Sequence, residues 1–316
     1  MRGFLVVDKP EGVSSHHVVA MMRALLGKVK IGHTGTLDPF ATGVLVLAFG
    51  SYTRLISFLP EETKNYVATL RLGEKTSTGD TEGDVVHREK VPKLSKDTIN
   101  CILKEMEGEQ EQFPPQFSAI KVNGKPLYSY ARKGQVIEVA PRKIHVHHLS
   151  CNNIEADDLV FDSIVSRGTY VRQLGEDIAE RLGTVGHLTQ LRRIKSGVFD
   201  IQEALSFRDI SLLVTGLSNW KDTLSREGKQ KYARCSSMEL WTQLVPHVKT
   251  VEEVFYAKPQ VHVSFERSTK IKNGLPPLHI PVEIEPNTEF WFVHDAEFIA
   301  LATHDGEKIA LQRVLN

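Results

Sequence analysis

Cysteine is scarce: Cys101, Cys151 and Cys235 are the only three in 316 residues, and they lie far apart. Such spacing offers neither a disulfide framework nor the paired thiolates of a zinc site, and it suits a reducing compartment. Net charge is missing as well, because 39 Lys and Arg balance 39 Asp and Glu. No global field announces a nucleic-acid partner, so any such case rests on local charge. Long apolar runs are absent. Phe4-Leu5-Val6-Val7 is stopped at once by Asp8-Lys9-Pro10, far short of the roughly 20 residues needed to span a bilayer, or of a secretory core. The expectation is a soluble, unexported, cytoplasmic protein with no membrane partner. Repeats of roughly 20 to 50 residues and low-complexity tracts are also lacking, which excludes solenoids and linker-like chains.

What is present describes an ordinary globular protein: 41% hydrophobic, 25% charged and 8% aromatic residues, in a length that argues for about two domains. Phe4–Val7 reads as a strand. After the Lys9-Pro10-Glu11-Gly12 turn, Ser14 or Ser15 can cap a helix whose apolar positions are Val18, Val19, Met22, Leu25 and Leu26, with Gly27 as its stop. Tyr66–Leu72 has strand character, Ser95 caps a second helix, and Leu159, Phe161 and Val165 lie on one side of a strand. Val171, Leu174, Ile178 and Leu182 mark a third helix, which places Tyr170 and Arg172 at its start. Strands and helices mix without a βα repeat. A polar connector with Trp220 and Trp241 follows residue 205. Beyond it Phe290–Val293, Phe298–Ala302 and Lys308–Leu311 read as a β-meander joined by turns at His294–Glu297 and His304–Glu307.

The loop from Ile31 to Gly43 carries three glycines after its first residue, Gly32, Gly35 and Gly43, and then the buried-looking run Val44–Phe49. Glycine and threonine together can cradle phosphate through backbone N–H groups. The match to a nucleotide hydrolase fails in detail, since Gly43 is followed by Val44 where a Walker loop needs Lys, and no Gly-x-Gly-x-x-Gly is present. Asp38-Pro39 has a bland reading as a helix N-cap with Pro at the first helical position. Capping alone, however, does not call for His33-Thr34-Gly35-Thr36 before it or Ala41-Thr42-Gly43 after it.

The series Gly32-His33-Thr34-Gly35-Thr36-Leu37-Asp38-Pro39, then Ala41-Thr42-Gly43-Val44-Leu45, resembles the signature of bacterial tRNA pseudouridine synthases of the TruB family. Further blocks agree in order: Asp8-Lys9-Pro10 with Gly12 and Ser15; Lys64-Asn65-Tyr66 with Arg71-Leu72-Gly73; Thr78, Asp80 and Gly83; Pro114-Pro115 with Ser118-Ala119 and Lys121–Lys125; Gly168–Arg172; and Leu188–Arg193. The likeness spans roughly residues 3 to 205. One departure is Phe117, where the family usually has Tyr. The resemblance implies an α+β catalytic domain with a bent mixed, mainly antiparallel sheet flanked by helices, over residues 1–235, followed by a small all-β, PUA-like barrel over residues 236–316. It implies isomerisation of uridine 55 in the tRNA T loop to pseudouridine without a cofactor, by a monomer that holds the T arm and reaches toward the acceptor stem.

By the same resemblance Asp38 is the catalytic carboxylate and Arg172 its supporting cation. Tyr66 stacks on the extruded base, Tyr170 is a second active-site aromatic, His33 displaces the target nucleotide and Leu191 contacts the base. An adjacent cation lowers an Asp pKa by ~1 to 3 units, so Asp38 is expected to be held ionised. A basic stretch from Ser118 to Lys143, with Lys121, Lys125, Arg132, Lys133, Arg142 and Lys143 against Glu138 alone, has a net charge of +5. It resembles the family's thumb-like insertion, here assigned to residues 118–143. With Lys64 and Arg192 it supplies the cations for RNA backbone. Between Leu275 and Glu307 the chain has seven Asp and Glu and no Lys or Arg, which predicts a modest contribution of the C-terminal domain to RNA affinity. His145-Val146-His147-His148 lacks a carboxylate or Cys partner at ligand spacing, so no metal is expected. The alternative to catalysis is a tRNA-binding folding chaperone, for which Asp38 with Arg172 would be superfluous.

Overall fold

The computed structural model describes residues 1–60, 63–215, 237–277 and 284–315. Most of the connector after residue 205, including Trp220, lies outside them. Strands are numbered in chain order: β1 (Gly3–Lys9), β2 (Ile31–His33), β3 (Thr42–Phe49), β4 (Lys64–Leu72), β5 (Glu74–Thr76), β6 (Val85–Arg88), β7 (Gly108–Gln112), β8 (Lys121–Val122), β9 (Lys125–Pro126), β10 (Arg142–Glu155), β11 (Asp158–Val165), β12 (Gly186–Ser196), β13 (Phe199–Asp200), β14 (Leu205–Ser206), β15 (Val248–Lys249), β16 (Gln260–His262), β17 (Glu289–His294), β18 (Glu297–His304) and β19 (Ile309–Val314). The helices used below are α1 (Ser15–Leu26), α2 (Lys96–Glu105), α3 (Leu127–Ala131) and α4 (Val171–Arg181).

One mixed sheet runs in the order β14-β1-β3-β12-β4-β11-β10-β7, with β2, β13 and β15 attached to β3, β12 and β1. Its pairs are antiparallel except β1 with β14 and β3 with β12. That agrees with the expected bent, mainly antiparallel sheet and flanking helices. Toward one end of this path β1 and β3 are apolar on both faces, which explains why they read as continuous runs instead of alternating ones. Leu5, Val7, Leu45, Leu47 and Phe49 enter the main core with α1, α2 and α4. Phe4, Val6, Val44, Val46 and Ala48 face the other way, into a second core with Val251, Val254, Phe255, Trp291, Val293, Phe298 and Leu301. The C-terminal part is therefore fused to the back of the sheet by apolar packing. Helix Ser237–Leu244 also joins the main core through Leu240, Trp241 and Leu244, and β15 pairs with β1.

The helix ends follow local chemistry. Ser14 caps α1 by accepting from His17 N, and Gly27 ends it at φ 75°. Ser15, the other candidate cap, is instead buried: its Oγ accepts from Leu37 N at 2.8 Å and donates to Leu37 O at 3.0 Å. Ser95 caps α2 as expected. Asp38 caps no helix. A turn closed by Ala41 N to Asp38 O at 3.1 Å leads directly into β3.

The C-terminal residues differ from a closed barrel. Among the described residues they form an open four-stranded sheet, β16-β17-β18-β19, with β16 parallel to β17. Its antiparallel turns were legible: Asp295 and Ala296 both have positive φ, and the Asp305 carboxylate accepts from the N–H groups of Glu307 and Lys308. Asn273-Gly274 closes helix Phe265–Lys272, with Gly274 at φ 82°.

Gly43 shows how tightly the loop is set against the sheet. Its φ is 98°, and a Cβ there would meet Arg193 O at 2.2 Å, across the parallel β3–β12 pair. Gly43→Ala should lower the unfolding free energy by about 2 kcal/mol or more, read as a lower urea midpoint with an unchanged denaturant slope.

Candidate active site

The loop that carries Asp38 is immobilised by two buried cations. Lys9, at the end of β1, is 0% exposed and donates to the carbonyls of Pro10, Val13 and Pro39 at 2.8, 2.6 and 3.1 Å. Burial pulls its pKa down to about 8, still high enough for an ammonium that donates three hydrogen bonds at neutral pH. Arg193 of β12 is also buried and donates to Val44 O at 2.7 Å, Gly35 O at 3.1 Å and Thr36 O at 3.5 Å. The peptide groups on both sides of Asp38 are thus fixed from two strands.

Arg172, in the first turn of α4, gathers the site. It is 4% exposed, not solvent-facing. Its Nε lies 2.9 Å from Asp38 Oδ2, and one terminal nitrogen meets Asp80 Oδ2 at 3.2 Å and Thr78 O at 2.8 Å. The other terminal nitrogen donates to Phe117 O at 2.8 Å. Asp80 is 2% exposed, and its second oxygen accepts from Thr78 Oγ1 at 2.5 Å and Glu82 N at 3.0 Å. The loop bearing it is docked on β12 through Leu188 N to Gly79 O at 3.0 Å. One guanidinium thus joins segments around residues 38, 80 and 117.

Two carboxylates share that cation. Burial raises the Asp38 pKa above the ordinary carboxylate value, Arg172 opposes the rise, and the Asp80 charge adds to it. The expected net lowering by Arg172 is therefore overturned, because desolvation exceeds the pull of a guanidinium that Asp80 also uses. Glu82 is raised too, by burial and by Asp80 and Asp38.

Two cavities meet at Asp38, whose side chain keeps 35% of its surface open. The smaller, about 210 Å³, has Tyr66, Tyr170, Leu191, Lys64 and Arg172 in its wall. The larger, about 660 Å³, opens toward His16, Glu82, Phe117 and the thumb residues Tyr128 and Arg132. Tyr66 projects from β4 and is 7% exposed. Tyr170 is fixed by the Gln112 side chain of β7, which accepts from Tyr170 N at 2.8 Å and donates to Tyr170 O at 3.1 Å, while Arg142 lies 5.8 Å from its ring centre. Asp38, Tyr66, Tyr170, Leu191, Lys64 and Arg172 are therefore brought together.

The remaining site candidates lie further out. His33 is in β2, its ring edge-on to His16 at 5.2 Å; burial, His16 and Arg193 lower its pKa to about 4, so it is neutral at physiological pH. It does not line either cavity, although His16 lines the larger. Lys121, Lys125 and Lys133 are exposed along the thumb, and Arg132 stands over the Tyr128 ring at 5.5 Å. Arg192 holds the Asp8 carboxylate at 2.8 and 3.1 Å. The sequence assigns no role to Asp80, Lys9 or Gln112, and Arg193, which it groups with Arg192 and Lys195 as a second basic cluster for RNA phosphate, is instead buried. Only Lys9, a cation between an apolar strand and a proline, hints at its burial.

Comparison with known proteins agrees along the chain. Residues 23–171 match the TruB family pseudouridylate synthase N-terminal domain, and residues 172–251 match the tRNA pseudouridylate synthase B C-terminal domain. A protein named tRNA pseudouridine synthase B from Geobacter sulfurreducens is 46% identical over 213 residues, covering 67% of this chain and 70% of its own. One of the same name from Francisella philomiragia is 36% identical over 313 residues, 98% of this chain and 93% of its own. In fold the chain is similar to the crystal structure of a Cbf5-Nop10-Gar1 complex, with TM-score 0.67 and 24% identity over 99% of this chain and 84% of that one.

The shared cation makes a prediction about titration. The Asp38 carboxyl, followed by carbon-detected NMR, should titrate above the ~3.9 of a free Asp. Asp80→Asn should move the midpoint down by removing a like charge, and Arg172→Gln should move it up by removing the cation.

Proposed function

Since the chain belongs to the TruB family of pseudouridine synthases, we propose that it isomerises uridine 55 in the T loop of tRNA to pseudouridine, with Asp38 as the essential group. The observation that carries this reading is one carboxylate at the junction of two cavities, one walled by aromatics and one opening to a basic insertion. The reaction breaks the N1–C1′ bond, turns the uracil, joins C5 to C1′, releases the C5 proton and takes up a proton at N1, so atoms balance and no redox partner or energy source is required. The base must leave its stack to reach Asp38, at a cost of a few kcal/mol. Tyr66 and Leu191 offer the apolar surface that offsets it, and the Tyr66 hydroxyl is placed in this reading to assist loss of the C5 proton.

Asp38 acts as the carboxylate. Because its pKa is raised, activity should fall on the acid side at a higher pH than an unperturbed Asp would give. Arg172 is a positioning group whose planar fork serves four oxygens in different directions, a task the single point charge of lysine cannot fulfil. His33 is assigned to displacing the extruded nucleotide.

RNA phosphate is neutralised in this reading by Lys64, Lys121, Lys125, Arg132, Lys133 and Arg192, the last of which must exchange its Asp8 partner to do so. The acidic C-terminal sheet is partly neutralised within the protein: Lys258 pairs with Glu289 at 2.5 Å, while Lys272 and, from the N-terminal end of the chain, Arg2 pair with Glu297 at 3.3 and 3.1 Å. It is read as a PUA-like contributor of modest affinity toward the acceptor stem. Residues 1–235 are taken as the catalytic domain and 236–316 as the C-terminal one, with helix Ser237–Leu244 packed onto the former. A cytoplasmic site of action goes with this substrate; no helix among the described residues is long and apolar enough to cross a membrane.

The direct test is tritium release from tRNA labelled at uridine C5. Wild type should release one tritium per tRNA and Asp38→Asn should be slower by at least ~10²-fold; equal release by both would overturn the assignment. Arg172→Lys should lose most of the rate with little change in tRNA affinity. Lys121→Ala with Lys125→Ala should weaken binding and reduce the salt slope by roughly 0.9 for each lost phosphate contact.

A further inference from the structure

Ser118 lies at the foot of the thumb, 4% exposed, and its Oγ has no hydrogen-bond partner among the described residues. Its backbone is held on both sides. Ser118 O accepts from Tyr128 N at 3.1 Å, and the preceding carbonyl, Phe117 O, accepts from Arg172 at 2.8 Å. The hydroxyl is therefore kept out of water by the same network that orients Asp38. A buried hydroxyl without a partner is costly and calls for an explanation. The other buried side-chain atoms in this condition, on His33, Asp162, Ser163, Thr184, Trp291 and His304, belong to residues outside both cavities at Asp38.

Thr36, Leu37, Asp38, Ser118, Ala119 and Arg172 form the wall common to the two cavities. This inference rests on the uridine-isomerising reading above. If the base occupies the aromatic cavity, the bond that breaks must cross the common wall at Asp38, and the sugar then lies beside Ser118. Two other residues of that wall have their polar groups engaged: Leu37 N–H and C=O with Ser15, and the Arg172 guanidinium with four oxygens. On the sugar, the ring oxygen and the esterified 3′ and 5′ oxygens only accept. The 2′-hydroxyl both donates and accepts, is attached next to C1′, and distinguishes RNA from DNA. We propose that Ser118 is a substrate-positioning residue whose hydroxyl bonds the ribose 2′-hydroxyl of the target uridine.

The test uses full-length protein carrying Asp38→Asn, which leaves the substrate unreacted, and two tRNAs that differ only in having a 2′-hydroxyl or hydrogen at the target uridine. With Ser118 intact, the ribose form should bind about 5- to 10-fold tighter. Ser118→Ala should bring the ratio within about twofold, Ser118→Cys should do the same with the side-chain volume kept, and Ser118→Thr should preserve the preference. A ratio that is the same with Ser, Ala and Cys at this position overturns the proposal. Tritium release from the ribose tRNA by the protein with Asp38 intact is measured in parallel. Its failure would sink the isomerase reading itself, whereas release with an unchanged ratio would sink only the role of Ser118.

Discussion

Everything at the candidate site depends on one guanidinium taken out of water. An unpaired cation at the depth of Arg172 would cost several kcal/mol, and the protein meets that cost with carboxylates from two loops and carbonyls from two segments. Those partners are remote in sequence, so the cation sets the distance between the Asp38 loop, the Thr78–Asp80 loop and the thumb's foot at once. Sharing it has an electrostatic consequence. Two carboxylates face one positive charge, and the Asp38 carboxyl, with part of its surface open, stays more basic than an ordinary aspartate.

The rigidity behind this arrangement comes from a sheet buried on both sides. β1 and β3 place alternate residues into two separate cores, so neither strand can slip by one residue without exchanging its two faces. Their ends emit the Lys9 turn and the Asp38 loop, and β12, beside β3, supplies Arg193 and Leu191. The geometry of the candidate site is thus set by strand register, with buried cations fastening the loops to it. The second core also makes the C-terminal sheet part of the same body: its removal would expose Phe4, Val6, Val44 and Val46 to water.

Charge is arranged by region, as a neutral total conceals. Exposed cations line the thumb, acids sit around Arg172, and the C-terminal acids are partly paired with Lys258, Lys272 and Arg2. A phosphate chain meets favourable potential along the thumb, whose cations are exposed, and not beside Asp38, Asp80 and Glu82 in the wall of the larger cavity.

The sequence by itself determined the elements whose cause is local. Periodicity marked α1 and α4, Ser14 and Ser95 supplied caps, and Asp295-Ala296 and Asp305-Gly306 set the turns of the meander. The ordered motifs singled out Asp38, Tyr66, Tyr170, Leu191 and Arg172 as a group, and the structure places them around one cavity. Tertiary structure decided what depends on neighbours distant in sequence. Whether Ser15 caps a helix or anchors Leu37, whether Lys9 and Arg193 face water or carbonyls, and whether Arg172 serves one acid or two are questions of desolvation and close approach. So is the direction of the Asp38 pKa. Such quantities arise only when remote segments exclude water together, and no local pattern of residues encodes them.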